Sequence, residues 1–166
     1  FTYPDGKKIL DDISFSAKKG QIIGITGAVA CGKSTLGKAF LCEYPYEGHI
    51  TVDGAELQNM EQSVRTGIVG YLGHDPELFN DSVENNVLMG EQKKTEDFLK
   101  MVCMAEEVNE MDDGLQTLVG NGGVRLSGGQ GKRLALARTL CHKKPVLVLD
   151  DPFSALDKST ERQIFA

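Results

Sequence analysis

Apolar and polar positions alternate over residues 9–17, where Ile13, Phe15 and Ala17 are interleaved with Ser14 and Ser16. That two-residue period predicts a half-buried strand. A Lys18-Lys19-Gly20 turn leads into a second predicted strand over 21–26. From 33 to 42 the alternation stops, and Leu36 and Phe40 fall four apart, as on one face of a helix. Ile50 and Val52 alternate again ahead of Asp53-Gly54, a dipeptide suited to a tight hairpin turn. A short buried strand is expected over 68–72.

The pattern then changes. Over 82–113 the apolar residues Val83, Val87, Phe98, Leu99, Val102, Cys103, Val108 and Met111 recur at helical spacing, interrupted at Gly90. Two or three short helices are predicted, forming a lobe apart from the sheet. A glycine-rich stretch, "GNGGVRLSGGQG", precedes a predicted helix over 132–142 with Leu134, Ala137 and Cys141 on one face. "VLVLDD" is a continuous apolar run ending in two carboxylates, the pattern of a strand buried in a parallel sheet.

Composition narrows the class modestly. The 166 residues suffice for one domain with a substantial core, and 40% hydrophobic with 25% charged residues is ordinary globular usage. The net charge of −6 argues against a basic nucleic-acid-binding surface. Cys31, Cys42, Cys103 and Cys141 show no paired or metal-type spacing and are expected as reduced, mostly buried thiols. No run of about 18 apolar residues predicts a membrane span, and the opening "FTYPDGKK" is no signal peptide. The chain opens without Met and stops inside a helical pattern, so an excised piece of a longer protein is expected.

Gly27-Ala28-Val29-Ala30-Cys31-Gly32-Lys33-Ser34, followed by Thr35, fits the phosphate-binding loop GxxxxGK[ST] at a strand-to-helix transition. Backbone N–H groups of such a loop, with the following helix start, bind anionic oxygens. Lys33 would bridge the β- and γ-phosphates and the Ser34 hydroxyl would ligate Mg²⁺. At the end of the apolar strand, Asp150 would hold Mg²⁺ and Asp151 would orient or deprotonate the attacking water. The second glycine stretch contains Leu126-Ser127-Gly128-Gly129-Gln130, a serine-capped helix start of the kind that also binds anions. One chain has little use for two readers of one γ-phosphate, unless the second reads a nucleotide on another subunit.

Together these stretches resemble the nucleotide-binding domain of the ATP-binding cassette (ABC) transporter family, from Phe1 to Ala166. The resemblance implies an α/β fold: a P-loop NTPase core with a mixed or parallel sheet, an antiparallel β subdomain and a small helical subdomain. It implies a β subdomain and loop core over 1–74, a helical lobe over 75–126, and a segment over 127–166 with the signature helix, acidic strand and D-loop. ATP and Mg²⁺ are the implied ligands. Tyr3 in "FTYP" looks like the residue that stacks on adenine. "VGYLGHDPELF" resembles the Q-loop, "SALD" at 154–157 resembles the D-loop, and "LFNDSVENNV" resembles exporter-type cassettes. The implied partners are a second such domain and the transmembrane domains of a transporter, without nucleic acid, at the cytoplasmic face of a membrane.

Three positions depart from the family pattern. His74 stands where the family has glutamine, and imidazole is a poorer ligand than an amide oxygen for Mg²⁺, so the catalytic role implied there would fall to a cationic contact with the γ-phosphate, to a water, or be lost. Asp151 stands where active members usually carry glutamate; similar aspartates occur in the less active site of asymmetric exporters. A shorter carboxylate there implies slow hydrolysis. Ala30 replaces a glycine, and a positive φ at this position would strain it by about 1 kcal/mol. The family's switch histidine lies past the D-loop, beyond Ala166; His142 reads instead as a helix-end residue and His49 as an exposed hairpin residue. The alternatives are a soluble, non-transport ABC ATPase and a catalytically inert regulatory ATP-binding domain.

Overall fold

The computed structural model describes residues 8–165, which divide into two units, Phe1–Val69 and Gly70–Ala166. In the first unit the turn at 18–21 closes as expected, with Gln21 N–H donating to the Lys18 carbonyl at 3.0 Å and Gly20 at φ +81°. The segments on either side are not strands. Both the 9–17 and the 21–26 expectations are therefore corrected. A strand needs a neighbour to complete its hydrogen-bond ladder, and Ile13, Phe15, Ile22, Ile23 and Ile25 all remain largely exposed.

The helix α1 spans Lys33–Ala39 and buries Thr35, Gly37 and Ala39. It stops short of the predicted residue 42, where Cys42 adopts φ +53°. The hairpin formed by β1 (Thr51–Val52) and β2 (Ala55–Glu56) is antiparallel, pairing Thr51 with Glu56 and Val52 with Ala55. Its turn residues Asp53 and Gly54 have φ +50° and +80°, both left-handed, as a two-residue hairpin turn of this kind requires. His49 is an exposed hairpin residue, with Nδ1 at 3.0 Å from Glu56 Oε2. The 3₁₀ turn Leu57–Asn59 buries Leu57 completely, and α2 follows over Gln62–Ile68.

The second unit carries most of the buried apolar surface. The predicted helical stretch resolves into α3 (Val83–Leu88), α4 (Thr95–Met101) and α5 (Ala105–Asn109). Against α3 and α4 packs α6 (Gly128–Cys141), which buries Leu134, Ala135, Leu136, Ala137 and Cys141. Val83, Val87, Leu99, Val102, Met104 and Val108 complete this core. Burying one leucine such as Leu134 contributes on the order of 2 kcal/mol. A short antiparallel pair, β4 (Asp81–Ser82) with β5 (Leu118–Val119), ties the start of α3 to the segment before α6. Two-residue strands are too short to show alternation, which is why the sequence pattern misses them.

The strand β3 (Val69–Leu72) pairs with β6 (Val146–Leu149). Gly70 sits against Lys144 and Leu147, and the Leu72 carbonyl accepts from Asp150 N–H at 2.8 Å, so the two strands run in the same direction. The expectation of a fully buried strand is corrected: β6 is half-buried and Leu149 is 37% exposed. With β3 as its one sheet neighbour among the described residues, part of its apolar surface stays accessible. The chain ends in α7 (Lys158–Phe165). The cysteines are free thiols, but only Cys141 is buried; Cys31 is exposed, which corrects the expectation of mostly buried thiols.

Candidate functional site

In the first unit, residues 27–32 form a tight loop, leading into α1 at Lys33, whose glycines are dictated by space and by backbone sign. Gly32 has φ +98°, and a Cβ there would lie 2.7 Å from Ile9 Cγ2. A Cβ at Gly27 would lie 2.8 Å from Cys31 Sγ. Ala30 adopts φ +62°, the strained left-handed conformation expected of a position where the family has glycine. The Lys33 ammonium folds back over the loop, donating to the carbonyls of Gly27 at 3.0 Å and Ala28 at 2.8 Å. Val29 stands 96% exposed at the tip. A pocket of about 300 Å³ is lined by Ile9, Ala30, Cys31, Gly32, Lys33, Ser34 and Thr35. An ammonium and two hydroxyls in a pocket of this size suit a phosphate-bearing ligand.

In the second unit, β3 and β6 end together at the acidic pair. Tyr71 donates its hydroxyl to Asp150 Oδ2 at 3.3 Å. Asp151 is left-handed at φ +53°, a conformation that aspartate tolerates better than most residues. Its Oδ2 lies 3.4 Å from His74 Nδ1, while His74 Nε2 lies 3.9 Å from Asp75 Oδ1. His74 and Asp151 thus face one another. Ser34 in the first unit and Asp150 in the second each carry hard oxygen atoms, of the kind that Mg²⁺ prefers.

The signature segment 126–130 opens α6. Ser127 Oγ accepts from Gln130 N–H at 3.2 Å, and Gln130 Oε1 accepts from Ser127 N–H at 2.9 Å. This reciprocal capping box fixes the first turn. Ser127 and Gly128 are exposed, and nothing lies within 4 Å of a Cβ built on Gly128. Leu126 packs on the core. At Gly129 a Cβ would come 2.8 Å from the Ala155 carbonyl, so the signature turn lies directly against the D-loop backbone. Asp157 closes that loop by capping α7, accepting from the backbone N–H groups of Ser159 at 2.9 Å and Thr160 at 3.0 Å. The Ser159 and Thr160 hydroxyls bond to it too, and together these bonds hold its carboxyl well below the usual carboxylate range. Tyr3 lies outside the described residues.

Other residues here were not anticipated. Asn86, fully buried, accepts from Phe79 N–H at 2.9 Å and donates to the carbonyls of Phe79 and Ser82, both at 3.0 Å. Arg138 on α6 donates to the Asn86 carbonyl at 2.8 Å and to the Glu77 carbonyl at 3.1 Å, and lies over the Phe79 ring at 4.7 Å. Burial pushes its guanidinium below the usual value. The loop after His74 is therefore bolted to the signature helix, and the wording "LFNDSVENNV" has a chemical reason at Asn86. His142 caps the C-terminus of α6, as its place in the sequence suggested, with Nε2 at 3.2 Å from the Val87 carbonyl.

A family profile described as "ABC transporter" matches residues 10–154. The chain is 39% identical, over 99% of its length, to the probable multidrug resistance ABC transporter ATP-binding/permease protein YheI of Bacillus subtilis (strain 168), of which it covers 29%. It is 37% identical, over its whole length, to ATP-binding cassette sub-family B member 6 of Xenopus tropicalis, covering 20% of that protein. Among solved structures, a bacterial Atm1-family ABC exporter with ATP bound matches 82% of this chain at TM-score 0.75 and 33% identity, over 25% of the exporter chain. The chain thus spans less than a third of the length of these relatives.

Proposed function

The chain belongs to the ABC transporter family as one of its ATPase domains, and from that premise we propose that it is the motor of an exporter, pairing with a second such domain around ATP. Lys33 binds the β- and γ-phosphates, and the 27–35 loop and Tyr3 hold the rest of the nucleotide. Ser34 and Asp150 hold Mg²⁺, which when bound offsets the charge that develops on the phosphate oxygens. Asp151 orients the attacking water and takes its proton, and His74 positions the Asp151 carboxylate. Residues 126–130 meet the γ-phosphate of the nucleotide on the partner. The transmembrane domains that this motor would drive place it at the cytoplasmic face of a membrane.

The observation that carries this reading is the exposed, capped turn at Ser127. It is a second anion-binding helix start with nothing packed over Gly128. The solved bacterial Atm1-family exporter with ATP bound supports the choice of nucleotide. Ser127→Arg in the full-length protein tests it: ADP, which lacks the γ-phosphate, should still bind at the Lys33 loop while ATP-driven pairing of the two domains is lost. Normal pairing in that variant would contradict the proposal. The contact between His74 and Asp151 favours one second reading, a nucleotide-binding domain with negligible turnover. Full ATP affinity with no phosphate release from the assembled protein would select it.

A further inference from the structure

We propose that Glu107 is the positioning residue of the signature turn, fixing Ser127 in the orientation that meets the γ-phosphate of the partner's nucleotide. This rests on the reading that Ser127 contacts that nucleotide. The chain of bonds runs from the helical lobe to the turn without a gap. Cys103, just past α4 and left-handed at φ +53°, offers its carbonyl to Arg133 Nη1 at 2.6 Å. Arg133, on α6 and only 10% exposed, makes a two-point pair with Glu107 on α5, at 2.5 Å and 3.0 Å. The free side of Glu107 Oε2 accepts from Gln130 Nε2 at 2.9 Å.

That last bond decides which way the Gln130 amide points. With its NH₂ committed to Glu107, its oxygen faces the Ser127 N–H, and the capping box closes. Without the carboxylate the amide has no reason to prefer this orientation, and the cap that orders Ser127 is loosened. The two-point geometry also ties α5 to the first turn of α6. Movement of the helical lobe and presentation of Ser127 therefore become one event. Glu107 touches no nucleotide in this arrangement; it acts through Gln130.

The test compares ATP with ADP, because ADP lacks the phosphate that Ser127 reads. In the full-length protein, Glu107→Gln should weaken fluorescent-ATP binding by about tenfold, as befits one lost charge-assisted bond, and leave ADP binding unchanged. Glu106→Gln, at an exposed neighbouring position, should leave both unchanged. Glu107→Gln strands the Arg133 charge and could impair folding, so the paired variant Glu107→Leu with Arg133→Met removes both charges and should show the same ATP-only loss. Unchanged ATP affinity in both variants, or equal loss of ATP and ADP affinity, would overturn the inference alone. Wild-type protein that binds ATP and ADP alike would overturn the underlying reading along with it.

Discussion

His74 Nδ1 lies 3.4 Å from Asp151 Oδ2, so the two residues at which the family resemblance implies glutamine and glutamate form a single contact. Each change makes sense in terms of the other. The shorter carboxylate falls back from the position a glutamate would reach, and the imidazole lies against it. We propose that the carboxylate, one methylene shorter than a glutamate, reaches the attacking water less well, so that hydrolysis at this site is slow. Asp151→Glu, combined with His74→Gln, should raise phosphate release from the full-length assembly by up to about 100-fold, the scale of effect of a misplacement of about 1 Å. No gain would show that turnover is limited elsewhere.

The phosphate loop separates two glycine-type positions. Gly32→Ala combines φ +98° with a Cβ 2.7 Å from Ile9 Cγ2, and should cost about 2 kcal/mol in denaturant unfolding. Ala30→Gly relieves about 1 kcal/mol of left-handed strain but adds roughly 0.5–1 kcal/mol of backbone entropy, so it should be nearly neutral. A large effect at residue 30 and none at residue 32 would reverse this assignment.

Asn86 is the polar centre of the second unit. Asn86→Ala removes the partner of the Phe79 N–H and one partner of Arg138 Nη2, which is 3.0 Å from Asn86 Oδ1. The expected loss is about 2–3 kcal/mol in the unfolding free energy of this unit, the cost of leaving such groups unpaired. An unchanged denaturation midpoint would mean that water replaces the amide.

Glu107 gives the signature turn a defined acid limit. Hydrogen bonds from Arg133 hold its carboxyl below the ordinary value of 4.5. A depressed folded-state value means that the stabilisation is complete above the unfolded value and fades as pH falls through the folded one. Thermal melts should therefore show a full, pH-independent contribution from this pair between about pH 6 and 8, and a loss below about pH 4.5 that is absent in Glu107→Gln. Identical acid profiles for wild type and variant would contradict this.

Sequence periodicity located α1, the Asp53-Gly54 hairpin and the three helices over 83–109, because each closes its hydrogen bonds locally or with a near neighbour. The left-handed backbone at Ala30 agrees with the resemblance, which places a glycine there, and not with any periodicity. Periodicity failed where structure depends on a distant partner: 9–17 and 21–26 carry strand patterns but no strand, and β4 pairs with residues 118–119 across more than thirty positions of chain. The site followed the same rule. Lys33, Asp150, Asp151 and Ser127 are proposed as site residues from contiguous motifs. Glu107, Arg133 and Arg138 are not, since a lone charge on a helix does not reveal that it reaches a residue dozens of positions away.

The most direct measurement is the structure of the full-length assembly held with ATP and Mg²⁺. The account predicts Ser127 Oγ at hydrogen-bond distance, about 2.7–3.0 Å, from a γ-phosphate bound by the Lys33-type loop of the opposite subunit. A Ser127 turn left in solvent, remote from every γ-phosphate in the assembly, would contradict it.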